Sequence, residues 1–168
     1  MLISKIVSGG QTGVDRGAIA AAQELGFPYG GLIPKGRLAE DGIVPEEFDQ
    51  MEVSHKKGYL FRTEWNVTHS DATLLLSFDS ELTGGTKRTM EFCEKHAKPY
   101  WIENLNAIKE TDRGLEVLYW LEAEFGTKQA VLNVAGPRES KAPGIQAKTQ
   151  AFVARLIQAV REDAPARD

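Results

Sequence analysis

Ser8-Gly9-Gly10-Gln11-Thr12-Gly13-Val14-Asp15-Arg16 follows directly on the apolar run Leu2 to Val7. The order reads as a buried first strand, a glycine turn, and a helix carried through Gly17, Ile19, Ala22 and Leu25. Glycine lets a backbone turn tightly and come close to a bound group. A helix that begins there aims unpaired N–H groups and the positive end of its dipole into the same space. This is the physics of a phosphate or oxyanion cradle, with Gly9, Gly10, Gln11, Thr12 and Gly13 as its donors. Asp15 either caps the helix or meets the ligand, and Arg16 stands beside it. The spacing is neither the G-x-G-x-x-G dinucleotide fingerprint nor a Walker loop, because no G-K-[ST] follows. Gly17 is expected to let the helix pack closely on the sheet.

Further along the chain the same grammar recurs. Gly26-Phe27-Pro28 ends the first helix, and Tyr29 to Ile33 reads as a short strand. Pro34-Lys35-Gly36-Arg37 is a turn with two cations, 39–42 a polar loop, 45–50 a short helix and 51–53 a small extra strand. Tyr59 to His69 reads as a helix that sets Tyr59, Arg62, Thr63 and Asn66 on one face. Ala72 to Phe78 is almost unbroken apolar sequence, as in a parallel strand covered on both sides. Thr83-Gly84-Gly85-Thr86 then opens a helix to about His96. Pro99 to Ile102 is the next strand, and Thr111 or Asp112 is placed to cap a helix ending at Gly126. Ala130 to Val134 is a last strand, leading into Ala135-Gly136-Pro137-Arg138-Glu139-Ser140 and a final helix from about Gly144 to Arg161.

Strands alternating with helices imply right-handed crossovers and a mostly parallel, doubly wound, Rossmann-like α/β sheet with helices on both faces. We expect one such domain over 1–162 and a frayed tail over 163–168. The strand-to-helix loops then gather at one edge, where ligands of such sheets bind. That edge would hold Asn66, Asn133, Gly136 and the cations Arg16, Lys35, Arg62 and Arg138. Arginine suits phosphate through its planar fork of donors. Trp65 is expected in the core, at a subunit interface, or stacked on a flat ring, and Cys93 in the core.

Bulk composition narrows the classes. The 168 residues carry a net charge of −4, which argues against a nucleic-acid polymer as partner. One cysteine excludes an internal disulfide framework, and the three histidines have no ligand spacing, so no protein-held metal is expected. No apolar run reaches the roughly 18–20 residues of a membrane span. The chain is therefore expected to be cytoplasmic, with a phosphorylated small molecule as its partner.

Ser8 to Arg16, Arg62-Thr63-x-x-Asn66, Thr83 to Thr86 and Asn133 to Ser140 together resemble the molybdenum carrier family, over nearly the whole chain. The resemblance implies a Rossmann-like fold related to molybdenum cofactor carriers. Those bind a phosphate-bearing pterin that holds molybdenum through dithiolene, and they form homo-oligomers, here a dimer or tetramer. It also reaches the lysine-decarboxylase-like phosphoribohydrolases, whose pattern is Arg-Lys on a helix, a buried strand, then P-G-G-x-G-T-x-x-E. Arg62, Gly84, Gly85 and Glu91 match that pattern. Thr63 replaces its lysine, Thr83 its proline, and Lys87-Arg88 its Gly-Thr. Two functions follow: a non-enzymatic carrier or sensor of molybdenum cofactor or a nucleotide, or an N-glycosidic hydrolase of nucleoside monophosphates using Arg62 and Glu91. A partner-binding module with a vestigial pocket is a third.

Overall fold

The computed structural model describes residues 1–162; the tail expected over 163–168 lies outside the described residues. Five strands form one all-parallel sheet in the order β2-β1-β9-β7-β8. They are β1 (Ile3–Val7), β2 (Tyr29–Gly30), β7 (Ala72–Ser77), β8 (Tyr100–Asn104) and β9 (Ala130–Ala135). The helices are α1 (Val14–Glu24), α2 (Tyr59–Thr68), α3 (Gly84–Lys95), α4 (Leu115–Phe125) and α5 (Ile145–Glu162). Every residue of β7 is buried, as its unbroken apolar run requires. The main core fills the face under α1, α4 and α5, with Leu74, Leu76, Leu132 and Val134 pointing into it. A smaller cluster of Val67, Phe92 and Cys93 lies under α2 and α3 on the other face. Burial pushes the Cys93 thiol up, in keeping with its expected place in the core.

The chain leaves β1 toward one edge of the sheet and later crosses to β7 on the far side of β9. With right-handed crossovers, connections that run in opposite directions along the sheet, such as β1 to β2 and β7 to β8, place their helices on opposite faces. The reversal also opens a crevice beyond the carboxyl ends of β1, β9 and β7. Register staggers those ends, Val7 pairing with Asn133 before β9 ends at Ala135, and Ala135 pairing with Leu75 before β7 ends at Ser77.

Several local expectations give way to tertiary packing. The strand expected over Tyr29 to Ile33 divides, β2 joining the main sheet and β3 (Leu32–Ile33) pairing in parallel with β6 (Glu52–Val53). The break falls at Gly31, where φ is +124° and an added Cβ would stand 2.1 Å from the Ser8 carbonyl oxygen. The polar loop 39–42 is instead a hairpin of β4 (Leu38–Ala39) and β5 (Gly42–Ile43), reached through a 3-10 turn, η1, at Lys35–Arg37. No helix forms over 45–50. There the Arg37 guanidinium takes the carbonyls of Val44, Pro45 and Phe48, two of which a helix through 45–50 would use itself. Neither Thr111 nor Asp112 caps α4. Asp112 instead accepts the Gly114 N–H at 2.6 Å, and Gly114, at φ 70°, starts the helix against Leu156. Gly17 serves helix–helix contact rather than the sheet, since its Cβ would meet the Gln146 carbonyl of α5 at 2.5 Å. Trp65 stacks on His69 with centroids 3.8 Å apart. Among the described residues no helix is long and apolar enough to cross a membrane.

The two roles of glycine predict a contrast in stability. Gly31→Ala should cost roughly 3 kcal/mol or more, from strain and collision with backbone. Gly26→Ala, at φ +58° with nothing within 4 Å, should cost only about 1–2 kcal/mol. Urea midpoints compared at constant m read both, and equal losses would refute the account of the strand break.

Candidate functional site

One cavity of about 170 Å³ lies at the crevice between β1, β9 and β7. Three loops and one helix face supply its walls: Gly9, Gln11 and Asp15 after β1, 77–86 after β7, Asn133 to Ala142 after β9, and Tyr59, Arg62, Thr63 and Asn66 from α2. The helical spacing of those four residues brings them to the cavity together.

At the floor, Arg62 reaches across the backbone of Gly9 to Asp15. Nη1 donates to Asp15 Oδ2 at 2.7 Å, and both side chains are buried. A Cβ on Gly9 would stand 1.4 Å from Arg62 Nη1 and 2.8 Å from Asp15 Oδ2. Glycine here makes room for a guanidinium. Burial raises the Asp15 carboxyl above its ordinary value, and the charge and hydrogen bond of Arg62 counter that without cancelling it. Removing one partner of such a pair strands the other's charge, typically at about 3–5 kcal/mol.

The first glycine loop is closed upon itself. Gln11 N–H donates to Asp15, Thr12 N–H to Gln11 Oε1, Gly13 N–H to Gln146 of α5, and Val14 N–H to the Pro137 carbonyl. Of the donors expected to meet an anion there, those of Gln11, Thr12, Gly13 and Val14 are spent inside the fold. Gly10, Thr12, Gly13 and Arg16 do not line the cavity. Arg16 instead pairs with Asp41 of the β4–β5 turn and donates to the Gly10 carbonyl at 3.2 Å. Lys35 is exposed in η1 and also stands outside the cavity. Asn66 lines it, yet its amide is committed to Leu32, accepting the N–H at 2.7 Å and donating to the carbonyl at 3.1 Å. Asn133 donates to Thr73 Oγ1 at 3.3 Å.

The second glycine loop differs. α3 begins at Gly84 after Thr83, with no side chain capping it and no acidic residue in its first turn. Among the described residues no acceptor takes the N–H of Gly84, Gly85 or Thr86. A Cβ on Gly85 would meet nothing within 4 Å, and one on Gly84 only the Lys141 ammonium, at 3.5 Å. Lys141 therefore stands beside the positive end of a helix, and Arg138, 3.9 Å from Glu40, shares the cavity wall with it, with Asp79 and Glu81 also in the lining. Gathering like partial charges there is unfavourable until an anion joins them.

Glu91, the expected partner of Arg62, is not in the cavity. It pairs with Arg88 at 3.0 Å on the outer surface of α3, both side chains well exposed. Two residues beyond the lining residue Thr89, roughly half a helical turn, Glu91 faces away from the cavity, and the carboxylate that meets Arg62 is Asp15. Two residues emerge that the motifs did not single out. Tyr59 lines the cavity 39% exposed, its ring 5.6 Å from Arg62 Cζ and 6.0 Å from Arg138 Cζ. Its place one turn before Arg62 was the available signal. Glu40 binds Thr12 and Ser140, accepting the Ser140 hydroxyl at 2.6 Å and N–H at 3.1 Å. It thereby ties the β4–β5 hairpin to the loops after β1 and β9, a long-range role without a local sequence signature. Among the described residues no three His, Cys, Asp or Glu side chains assemble as a metal-ligand group.

An all-parallel doubly wound sheet with its cavity at the strand-order reversal defines a Rossmann-like class of architecture. Within that class, the family described as "Circularly permutated YpsA SLOG family" matches residues 6–157. The chain belongs to that family. It is also similar to the crystal structure of the "Putative molybdenum carrier protein" from Syntrophus aciditrophicus SB, with 42% identity and a TM-score of 0.83. The match covers 92% of this chain and 95% of that one. No functionally curated protein matches the chain.

Glu40 carries a pH prediction. Burial works to raise its carboxyl, but the donors of Ser140 and Thr12 and the charge of Arg138 outweigh burial and hold it below 4.5. The folded state thus favours the ionised form. Its stabilisation is complete above the ordinary value and is lost as pH falls through the folded one. Glu40→Gln should flatten the acid limb of a Tm-against-pH curve below about pH 4.5; an unchanged limb would exclude the tie.

Proposed function

We propose that this chain is a binding or carrier protein for a phosphorylated ring compound, either molybdenum cofactor or a nucleotide, and that the phosphate seats on the start of α3. The observation that carries the proposal is the uncapped helix start at Gly84-Gly85, with Lys141 beside it and Arg138 on the same cavity wall. A phosphate there would take helix N–H donors while neutralising Lys141. Thr83 and Thr86 add hydroxyls from the same wall. The name of the similar solved protein points to molybdenum as that protein's cargo. In this chain any molybdenum would arrive on its pterin, since the side chains that line the cavity offer oxygen and nitrogen rather than thiolate. At about 170 Å³ the cavity is smaller than the roughly 300–1,000 Å³ of sites that enclose a drug-sized ligand. It would grip part of the compound and leave the remainder in the mouth.

The hydrolase alternative requires an acid–base group over the glycosidic bond, and Glu91 lies on the outer face of α3. We therefore place catalysis second. The proposal extends to a homodimer or tetramer in the cytoplasm. Leu115 and Tyr119 on α4 and Ile102 on the edge strand β8 are exposed apolar side chains suited to a subunit contact. Sedimentation equilibrium of the purified chain should give two or four times the monomer mass, and a monomer at micromolar concentration would remove that part.

Gly85→Val tests the phosphate seat directly, because its side chain enters open space rather than protein. Binding of phosphorylated ligands, measured by calorimetry, should weaken at least tenfold with Tm shifted by only a few degrees. Undiminished binding would move the phosphate elsewhere.

A further inference from the structure

The ring end of the cavity contains donors that the protein leaves without partners. Arg62 is 9% exposed and Gln11 8% exposed, and both line the cavity. Gln11 Oε1 accepts the N–H of Thr12 at 3.0 Å and of Glu40 at 2.9 Å, so the amide orientation is decided by its surroundings. Its NH2 is then the free end, buried and unpaired. Arg62 uses only Nη1, on Asp15. Its Nε is buried and unpaired, and Nη2 beside it makes no hydrogen bond among the described residues. Nε and Nη2 form the side-on fork of a guanidinium, two parallel donors a little over 2 Å apart in the geometry that accepts two neighbouring acceptor atoms. Buried donors left unmatched are costly, so such a pair points to an acceptor supplied from outside.

Three chemistries fit a fork: a carboxylate, a phosphate, or a flat ring with two acceptors on one edge. Asp15 decides among them. Its carboxylate lies 2.7 Å from Nη1 and already balances the Arg62 charge. A second anion in the fork would face that carboxylate across one guanidinium, whereas a neutral edge would not. Tyr59 supplies the rest, a partly exposed aromatic ring against the same guanidinium, on which a flat heterocycle can stack. The phosphate has its own seat at the start of α3.

We propose that Arg62 and Gln11 read a heterocycle edge with a ring nitrogen beside an exocyclic carbonyl oxygen, while Tyr59 stacks on its face. A 6-oxopurine presents this edge through N7 and O6, and a 4-oxopteridine through N5 and O4. Adenine presents an acceptor beside an amino donor, which would oppose a second donor in the fork. The inference rests on the phosphorylated-ring reading above and narrows its ligand class.

The test is calorimetric titration of the full chain with inosine monophosphate, adenosine monophosphate, a 6-substituted 4-oxopteridine phosphate, and ribose 5-phosphate. The oxo rings should bind about tenfold or more tighter than the adenine nucleotide, the discrimination ordinary for one bidentate contact. Preference for the inosine or for the pteridine compound identifies the source of the ring. Equal binding of adenosine and inosine monophosphates, with ribose 5-phosphate also bound, overturns the ring-edge inference and leaves the phosphate seat standing. Binding of none of the four overturns both. Arg62→Lys keeps the charge and removes the fork, so it should abolish the oxo-ring preference while ribose 5-phosphate binds as before. Tyr59→Ala, at a partly exposed position, should weaken both rings without affecting ribose 5-phosphate. If Arg62→Lys does not fold, the wild-type panel and Tyr59→Ala still decide the matter.

Discussion

Arg62 lies across Gly9 and holds Asp15, and much of the surrounding geometry depends on that contact. A buried guanidinium needs a counter-charge, and the carboxylate that supplies it comes from the first turn of α1. The pair therefore locks α2, on one face of the sheet, to the loop that leads into α1 on the other. It also takes the Gln11 N–H, which shapes the loop after β1. The close approach is open only because residue 9 has no side chain. Fold and site share this constraint, since the same arginine that closes the interior presents its free edge to the cavity.

The two glycine loops illustrate how similar sequence reaches different physical ends. Both follow buried strands and both begin helices. The α1 loop sits where α5 and the loop after β9 press on it, and Gln146 and Pro137 take its donors. The α3 loop lies nearer the sheet edge, where no protein acceptor approaches the first turn among the described residues. One start has been built into the core. The other remains uncapped, with Lys141 beside it and Arg138 on the same cavity wall. A helix dipole is a binding feature only where the fold leaves its end unpaired.

Much of the architecture is legible in local pattern. The continuous apolar run over Ala72 to Ser77, the glycine stops and the 3.6-residue spacing of α5 identify parallel strands and covering helices without tertiary knowledge. The convergence of Gly84, Gly85, Thr86, Asn133 and Arg138 on one cavity follows from the rule that strand-to-helix loops share an edge. Expectations fail where a distant group captures the local one. Arg37 takes the carbonyls of the segment read as a helix, and Leu32 occupies the amide of Asn66. Glu91 matches a motif glutamate by count, yet its helix turns it to solvent.

Periodicity and glycine placement thus determined the alternating α/β order and the edge at which the loops gather, because both are consequences of backbone sterics and solvent exclusion acting over a few residues. Which donors remain free was decided by the tertiary structure alone. An N–H in a loop is available or spent according to whether an acceptor from 30 or 130 positions away comes within 3 Å, and no local pattern encodes that. The opening stretch Ser8 to Arg16 made the fold readable, while packing left unpaired donors on the cavity wall at Gln11, Arg62 and the start of α3.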